Sequence, residues 1–373
     1  MLRSTADRIC CPVRMRGKPC HGKLKIQGEG SLDEVVYGAL ECQECGGRYP
    51  ILEGVAIVVP VPDEYLLAHV KGISKFIPDS KIPESVREEF IEQREILEAE
   101  AGEHIEEDLE SDRVNALYLM NHYLAYENGQ EEWWKTVPAS ESPVISEWIR
   151  RYWDRGPFLT VSSWIQTGQT VLELGCGVGG LCRRVRGTAK SYLGVDSSFH
   201  SILLARHLNL GAPYRGELRF PGDLLFGNLA CRFTLPVERG GIHAGGDPFA
   251  DFVVGEIDAL PLPSGGFDVA VSMNAIDMLD EPKILPEEQF RLVAPGGVAI
   301  QTGPYIWHDR IARGLRGRMP KGIEDSAALV EWLYRICGFQ IEKSEPHVPW
   351  LFFKHLRQIE LYSVHALYAR KPA

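Results

Sequence analysis

The sequence predicts an α/β protein whose main body is a mostly parallel, doubly wound sheet. Three observations carry that prediction. From about Gln169 onward, short apolar strands alternate with helical segments, the pattern of a parallel sheet covered on both faces. Ahead of them lie a cysteine-rich stretch with β-branched runs and then an acidic stretch with helical periodicity. The chain has 373 residues, 45% hydrophobic and 24% charged, the proportions of a soluble globular protein long enough for two or three units. The expected units are a small β module over 1–62, a helical connector or lid over 63–165, and the α/β domain over 166–373.

Five of the nine cysteines, Cys10, Cys11, Cys20, Cys42 and Cys45, fall in the first 45 residues. The run VVYGALECQECGGRYPILEGVAIVV has short strand-like segments on either side of CQECGG, which predicts a hairpin whose turn is clamped by thiolates. A zinc ion needs four ligands in a tetrahedron, and Cys11, Cys20, Cys42 and Cys45 supply them, with Cys10 and His21 in reserve. Four thiolates leave no open position, so the expected zinc is structural. Arg3, Arg8, Arg14, Arg16, Lys18, Lys23 and Lys25 make this module basic. A basic zinc module suits an RNA-gripping arm, although no aromatic stacking ladder accompanies it.

The connector is different in character. Between Glu84 and Asp112 there are 13 acidic residues and two arginines. Val86, Phe90, Leu97, Ala101 and Ile105 recur at near-helical spacing and predict one apolar stripe on an acidic helix. Val114, Leu117, Tyr118, Leu124 and Ala125 predict a second helix, and EWWKTVPASESPVISEWIRRYW a third after a Pro-Ser break. The net charge of −11 comes from this region: 1–60 balances at +1, 61–165 at −12 and 166–373 at zero. The whole-chain charge therefore does not exclude an anionic substrate.

In the α/β domain, TVLELG and SYLGVD read as strands, with helices at GLCRRVRG and SFHSILLARHL. A Gly/Pro-rich insertion over 211–248 follows, then strands in FADFVVGEI, FDVAVSM and GVAIQTG. FQIEKSEP and LYSVHALYARK read as an edge hairpin. The most informative run is VLELGCGVGG. Its strand delivers Glu173, and Gly175, Gly177 and Gly179 remove Cβ atoms where a ligand must approach the backbone around Cys176. Asp196 ends the next strand, placed to accept the hydroxyl protons of a ribose. Gly175, Gly177 and Gly180 also satisfy the dinucleotide pattern, so these residues alone suit an NAD(P)-dependent oxidoreductase equally well.

The runs VLELGCGVGG, GVDSS, GEIDALPLPSGGFDVAVSMNAIDML and FRLVAPGGVAI, in that order, resemble the class I S-adenosylmethionine-dependent methyltransferases over about residues 165–305. The resemblance implies a Rossmann-like seven-stranded sheet with an antiparallel C-terminal edge. It also implies S-adenosylmethionine as cofactor: Glu173 near its methionine end, the loop Gly175, Cys176, Gly177 and Gly179 beneath it, Asp196 at the ribose, Ser197 as a further cofactor-binding residue, Glu256 and Ile257 at the adenine, and Asn274 near the methyl group. Two positions depart from the pattern, Glu256 where Asp is usual and Asp277 where many small-molecule enzymes have His. CP…CHGKL and CQECGGRYPILEGVA resemble the small zinc-binding methyltransferase-activator proteins, apart from the wider spacing between Cys11 and Cys20.

Residues after the fourth and fifth strands of such a sheet project over the donor methyl: Asn274, Asp277, Tyr305, Trp307, His308 and Asp309. His308 is the preferred base, with Asp277 and Tyr305 as further catalytic candidates. Arg310, Arg313, Arg316, Arg318 and Lys321 lie in a glycine-containing run that reads as a basic loop able to hold a phosphate or carboxylate. A small-molecule acceptor, anionic or not, is the first expectation; RNA is the alternative, and a non-catalytic scaffold a third. No run reaches the length of a membrane span, and MLRSTADRICC lacks the apolar core of a secretory signal, so a reducing cytoplasm is expected.

Overall fold

The structure, a computed structural model, describes residues 1–15, 18–100, 114–124, 143–215, 249–317, 319–355 and 358–373. Its main body is a seven-stranded sheet formed by β7 (Thr170–Leu174), β8 (Ser191–Asp196), β9 (Ala250–Val254), β10 (Phe267–Met273), β11 (Val293–Gly303), β12 (Gln340–His355) and β13 (Gln358–Arg370). The strand order is β12-β13-β11-β10-β7-β8-β9. Neighbours from β11 to β9 run parallel, and β13 is antiparallel to both β11 and β12. The chain leaves β7 toward β8 and β9, then returns to the other side of β7 with β10. That reversal opens a crevice at the carboxyl ends of the strands, where such sheets bind ligands.

Why the sheet is buried on both sides follows from the pleat. Val171 and Val269 share one core with Tyr192 and Phe252, whereas Leu172, Leu174 and Ala270 share another with Leu193 and Val195. Adjacent residues of a strand point to opposite faces, and both faces here are apolar. Helices α7 (Gly180–Val185) and α8 (Phe199–Leu210) follow β7 and β8, α9 (Ile284–Leu292) precedes β11, and α11 (Ser326–Ile336) precedes β12. Ser198 caps α8 by accepting from Ser201 N–H at 3.2 Å.

The N-terminal module is a small two-stranded pair, β1 (Arg14–Met15) with β2 (Lys18–Pro19), and a four-stranded antiparallel sheet of β3 (Leu24–Gly30), β4 (Val35–Cys42), β5 (Arg48–Leu52) and β6 (Val55–Ala56). The β4–β5 hairpin turns at the CQECGG run, as its spacing predicts. Just past β6, Ile57 pairs in parallel with Val254, and Val58 N–H donates to Val254 O at 2.9 Å, so the module adds to the β9 edge of the large sheet. A buried ion cluster holds the same contact: Arg206 of α8, 1% exposed, bonds Asp251 of β9 and Glu34 of the module. Thr5 Oγ1 also donates to Asp251, at 2.6 Å.

Between these bodies run α1 (Pro62–Ala68), α2 (Val70–Ser74), α3 (Arg87–Glu100), α4 (114–124), α5 (Pro143–Arg155) and α6 (Pro157–Trp164). The last turn of α4, Met120–Leu124, is π-helical, a widening common at functional sites. It aims consecutive side chains at different parts of the fold. Asn121 bonds both the N–H and the C=O of Phe353 in β12, at 2.8 and 3.0 Å. Tyr123 donates its hydroxyl to Val178 O, at 2.6 Å, in the glycine loop. α4 is thus a bracket between the loop and the edge hairpin.

Three expectations are corrected. The basic run after Trp307 is a helix, α10 (Asp309–Arg316), rather than a loop: Ile311 is buried, Gly314 faces open space where it costs only about 1 kcal/mol, and the charges at the two ends suit the helix dipole. The edge strands are longer than FQIEKSEP and LYSVHALYARK. Pro346 and Pro349 would interrupt an interior strand, yet β12 is the outermost strand and shifts register between Glu345 and Val348, which is where proline is tolerated. The apolar stripe of α3 buries Val86 and Phe90 but leaves Leu97 37% exposed; Ala101 and Ile105 lie outside the described residues. So do Ala125, Cys231, Arg16, Arg318, the Pro-Ser break before α5 and residues 216–248 of the insertion.

Candidate active site

The glycine loop turns sharply from β7 into α7. Gly175 and Gly177 have φ of +71° and +51°, a region that penalises any Cβ. Gly175 N–H and Cys176 N–H donate to Val195 O at 2.8 and 3.1 Å, which ties the loop to the end of β8. One residue further, Asp196 receives Gly177 N–H on Oδ2 and Ser198 N–H on Oδ1, each at 2.8 Å. The carboxylate is held from behind by two backbone donors, and its remaining lone pairs are available in front. Burial raises its pKa, and the two N–H groups oppose that rise.

In front of it lies a cavity of about 1250 Å³. One end is lined by Glu173, Gly175, Gly177, Asp196, Ser197, Glu256 and Ile257. Asn274, with φ of +57° and its N–H donating to Thr302 O at 2.8 Å, stands in the middle beside Met273. Asp277 and His308 line the far end. Four predicted residues are not on the lining: Cys176, Gly179, Tyr305 and Asp309. Cys176 turns its sulfur toward Gly194 of β8, and Gly179 backs onto Asn209 and Phe252. Tyr305 stacks on Trp307 with centroids 5.7 Å apart and shares a hydrogen bond with His365 Nδ1 at 2.7 Å, so its hydroxyl is engaged away from the cavity.

Glu173 is 3% exposed and accepts a hydrogen bond from Tyr192. Burial is the largest influence on it and raises its pKa to about 8, with Tyr192 opposing and Asp196 adding to the rise. The folded protein therefore keeps this proton between about pH 4.5 and 8, where the unfolded chain has lost it. Stability of the ligand-free chain should fall as pH rises through that window, and Glu173→Gln should flatten the fall. Melting temperatures of both proteins at pH 5, 6.5 and 8 check this. Asp277, 4% exposed, accepts Ile306 N–H at 2.6 Å. Its pKa too is raised by burial, against that hydrogen bond and the nearby His308.

The sequence reading missed the wall opposite the loop. Trp350, Phe352 and Tyr362 of the edge hairpin line the cavity with ring centroids 5.1 to 6.3 Å apart. The period-2 spacing of Trp350 and Phe352 within PWLFF is the available signal, obscured by Pro349. Phe158, Tyr118 and His122 of α6 and α4 complete that side. The His122 ring sits edge-on to Phe158 at 4.9 Å, its buried Nδ1 has no partner, and burial lowers its pKa to about 4, leaving it neutral. These groups fit S-adenosylmethionine: a cavity large enough for it, the carboxyl groups of Asp196 and Glu256 on its lining to accept hydrogen bonds, and Gly175 and Gly177 without Cβ atoms beside them.

In the N-terminal module, Cys11, Cys20, Cys42 and Cys45 bring their sulfurs within 4.8 Å of one another. The contacts of 3.5 Å (Cys11–Cys45) and 3.7 Å (Cys20–Cys42) are those of sulfurs about 2.3 Å from one central zinc. A Cβ on Gly22 would come within 2.5 Å of the Cys42 sulfur, so the cradle is closed by backbone. Cys10 stands apart, its sulfur 3.2 Å from His21 Nδ1. The donor set fits zinc.

Residues 145–368 match the methyltransferase domain family, more than half of the chain. The protein belongs to that family. It is an S-adenosylmethionine-dependent methyltransferase, an enzyme. Among solved structures, the chain is similar to one in the Haloferax volcanii complex between the Trm112 methyltransferase activator and a methyltransferase, with 16% identity over 61% of this chain and 96% of that one, TM-score 0.39. It is also similar to S-adenosylmethionine-dependent methyltransferases from Mesorhizobium loti (19% identity, 59% and 98% covered, TM-score 0.37) and Methanosarcina mazei (18%, 57% and 97%, 0.37). No curated protein matches the chain. Among the described residues, no helix is long and apolar enough to cross a membrane.

Proposed function

We propose that the enzyme methylates a small molecule bound between the donor and the aromatic wall of Trp350, Phe352 and Tyr362. The observation that carries this reading is the continuity of one cavity of about 1250 Å³, larger than the roughly 300–1,000 Å³ of a typical single-ligand pocket. One end has the acidic groups suited to the donor, and the other sets an aromatic wall beside Asp277 and His308. S-adenosylmethionine supplies a methyl group on a positively charged sulfur. The chain's own part is mainly alignment, worth up to roughly 7–11 kcal/mol when reactants are held in line.

In this reading Asp196 and Ser197 hold the ribose and Glu256 the adenine edge. Asn274, locked at positive φ, borders the transfer point, and Asp277 receives a proton from the acceptor. His308, exposed at the start of α10 near Asp277, passes that proton to solvent. Zinc on Cys11, Cys20, Cys42 and Cys45 is structural, holding the module against the β9 edge. An RNA acceptor is disfavoured because no lysine or arginine occurs among the described residues lining the cavity.

Incubating the full chain with methyl-labelled S-adenosylmethionine and fractionated cell extract tests the reading. Label is expected in small molecules whether or not the extract is treated with ribonuclease. Label that disappears with ribonuclease treatment would assign the acceptor to RNA.

A further inference from the structure

We propose that the acceptor is an apolar amine that enters in its protonated form. This rests on the small-molecule reading above and narrows it to one chemical class. Two independent features of the acceptor end converge on a cation. Its wall is aromatic: the Trp350 and Tyr362 centroids lie 5.4 Å apart at an interplanar angle of 37°, and Phe352 stands edge-on to Trp350 at 5.1 Å. Clustered ring faces attract an ammonium group through their quadrupoles. The wall already attracts one ammonium: Lys354 Nζ lies 5.2 Å from the Phe352 centroid while pairing with Glu360 at 3.5 Å. Lys354 is not on the cavity lining.

The second feature is charge. Seven acidic side chains, of which Glu173 keeps its proton to about pH 8, and no lysine or arginine line the cavity among the described residues. Glu173, Asp196 and Glu256 belong to the donor end, and Asp280 is already paired with Arg310. Asp277 is the buried carboxylate at the acceptor end, and its hydrogen bond from Ile306 N–H is from the backbone rather than from a cation. A buried carboxylate whose cavity has no lysine or arginine, and whose one nearby basic group on the lining is the exposed His308, disfavours an anionic ligand and favours one that brings a positive charge. The basic run expected to hold an anion is instead the helix α10, and none of its arginines is on the lining.

The same carboxylate serves the chemistry. A protonated amine has no lone pair, so its proton passes first to Asp277. The freed nitrogen pair then forms the N–C bond, and the electron pair of the breaking C–S bond stays on sulfur. The positive charge moves from sulfur to the methylated nitrogen, which faces the aromatic wall.

Three probes with one body separate the alternatives: 2-phenylethylamine, 2-phenylethanol and phenylacetate, titrated calorimetrically into the full chain saturated with S-adenosylhomocysteine. The amine is expected to bind at least ten-fold more tightly than the alcohol, and phenylacetate most weakly. In Asp277→Asn the amine's advantage should shrink to a few-fold while the alcohol's affinity stays, and unchanged S-adenosylhomocysteine affinity in that variant shows the fold is intact. Alcohol or acid binding as tightly as the amine overturns the proposal, as does absence of binding by all three to a chain that holds S-adenosylhomocysteine. If S-adenosylhomocysteine itself does not bind, the donor-site reading fails first and takes this one with it.

Discussion

Replacing Asp196 with alanine is expected to abolish the rise in melting temperature that S-adenosylhomocysteine gives the unmutated chain. A ligand present at a hundred times its dissociation constant stabilises the folded state by about 2.7 kcal/mol, and that increment vanishes when affinity is lost. Asp196 is well placed to control it. Its two oxygens are fixed by Gly177 and Ser198 N–H at 2.8 Å, so the carboxylate is aimed before any ligand arrives. In the proposed donor pose, removing it costs the bonds to the ribose, and it also releases the Gly177 N–H that the carboxylate holds. Charge-assisted hydrogen bonds contribute about 1.5–3 kcal/mol each, so affinity should fall about 100-fold or more. Asp196→Asn keeps one acceptor oxygen and should lie between the two. An unchanged shift in Asp196→Ala would place the ligand elsewhere.

Removing metal from the N-terminal module is the second large effect. The native protein should carry about one equivalent of zinc, and a strong chelator or Cys42→Ser should remove it. The four sulfurs are the only closed ligand set among the described residues, and metal binding in such sites is folding energy, about 10–16 kcal/mol in isolated zinc-finger peptides. Here part of the module survives on its own core, since Leu40, Tyr49 and Ile51 pack in the same cluster as Leu193 and Val253 of the large sheet. A loss of about 3 kcal/mol, or roughly 5–10 °C in melting temperature, is therefore expected rather than global unfolding. The loss should reach the catalytic body, because Ile57 pairs with Val254 and Arg206 bonds Glu34 across the junction. Elemental analysis and melting curves with and without chelator measure both. A metal-free chain indifferent to chelator would mean that the cysteines are simply buried thiols.

The parts of this fold most legible in sequence are those in which local pattern and tertiary role coincide. TVLELG, SYLGVD and FDVAVSM are continuously apolar because both faces of a central parallel strand are covered, and each is a strand of the sheet core. The glycine loop was legible because its backbone needs positive φ at Gly175 and Gly177. The edge hairpin was legible at FQIEKSEP and LYSVHALYARK, but its extension past Pro346 and Pro349 was not, since prolines that break an interior strand are harmless in β12 at the margin, and the aromatic wall of Trp350, Phe352 and Tyr362 was hidden with that extension. Tyr305 shows the converse error: it follows the right strand, but its own φ of +58° swings it onto Trp307 and His365. His122 had no signal at all, because a π-helical turn in a distant helix brings it over the glycine loop. α10 was missed because glycine content was weighed without knowing that Gly314 faces open space.

The central claim is that the cavity over the glycine loop receives a methyl donor. The measurement closest to it is a calorimetric titration of the full-length chain with S-adenosylhomocysteine, with NADH titrated in parallel. Saturable binding of S-adenosylhomocysteine and no heat from NADH is the predicted result. Binding of NADH with no response to S-adenosylhomocysteine would contradict it.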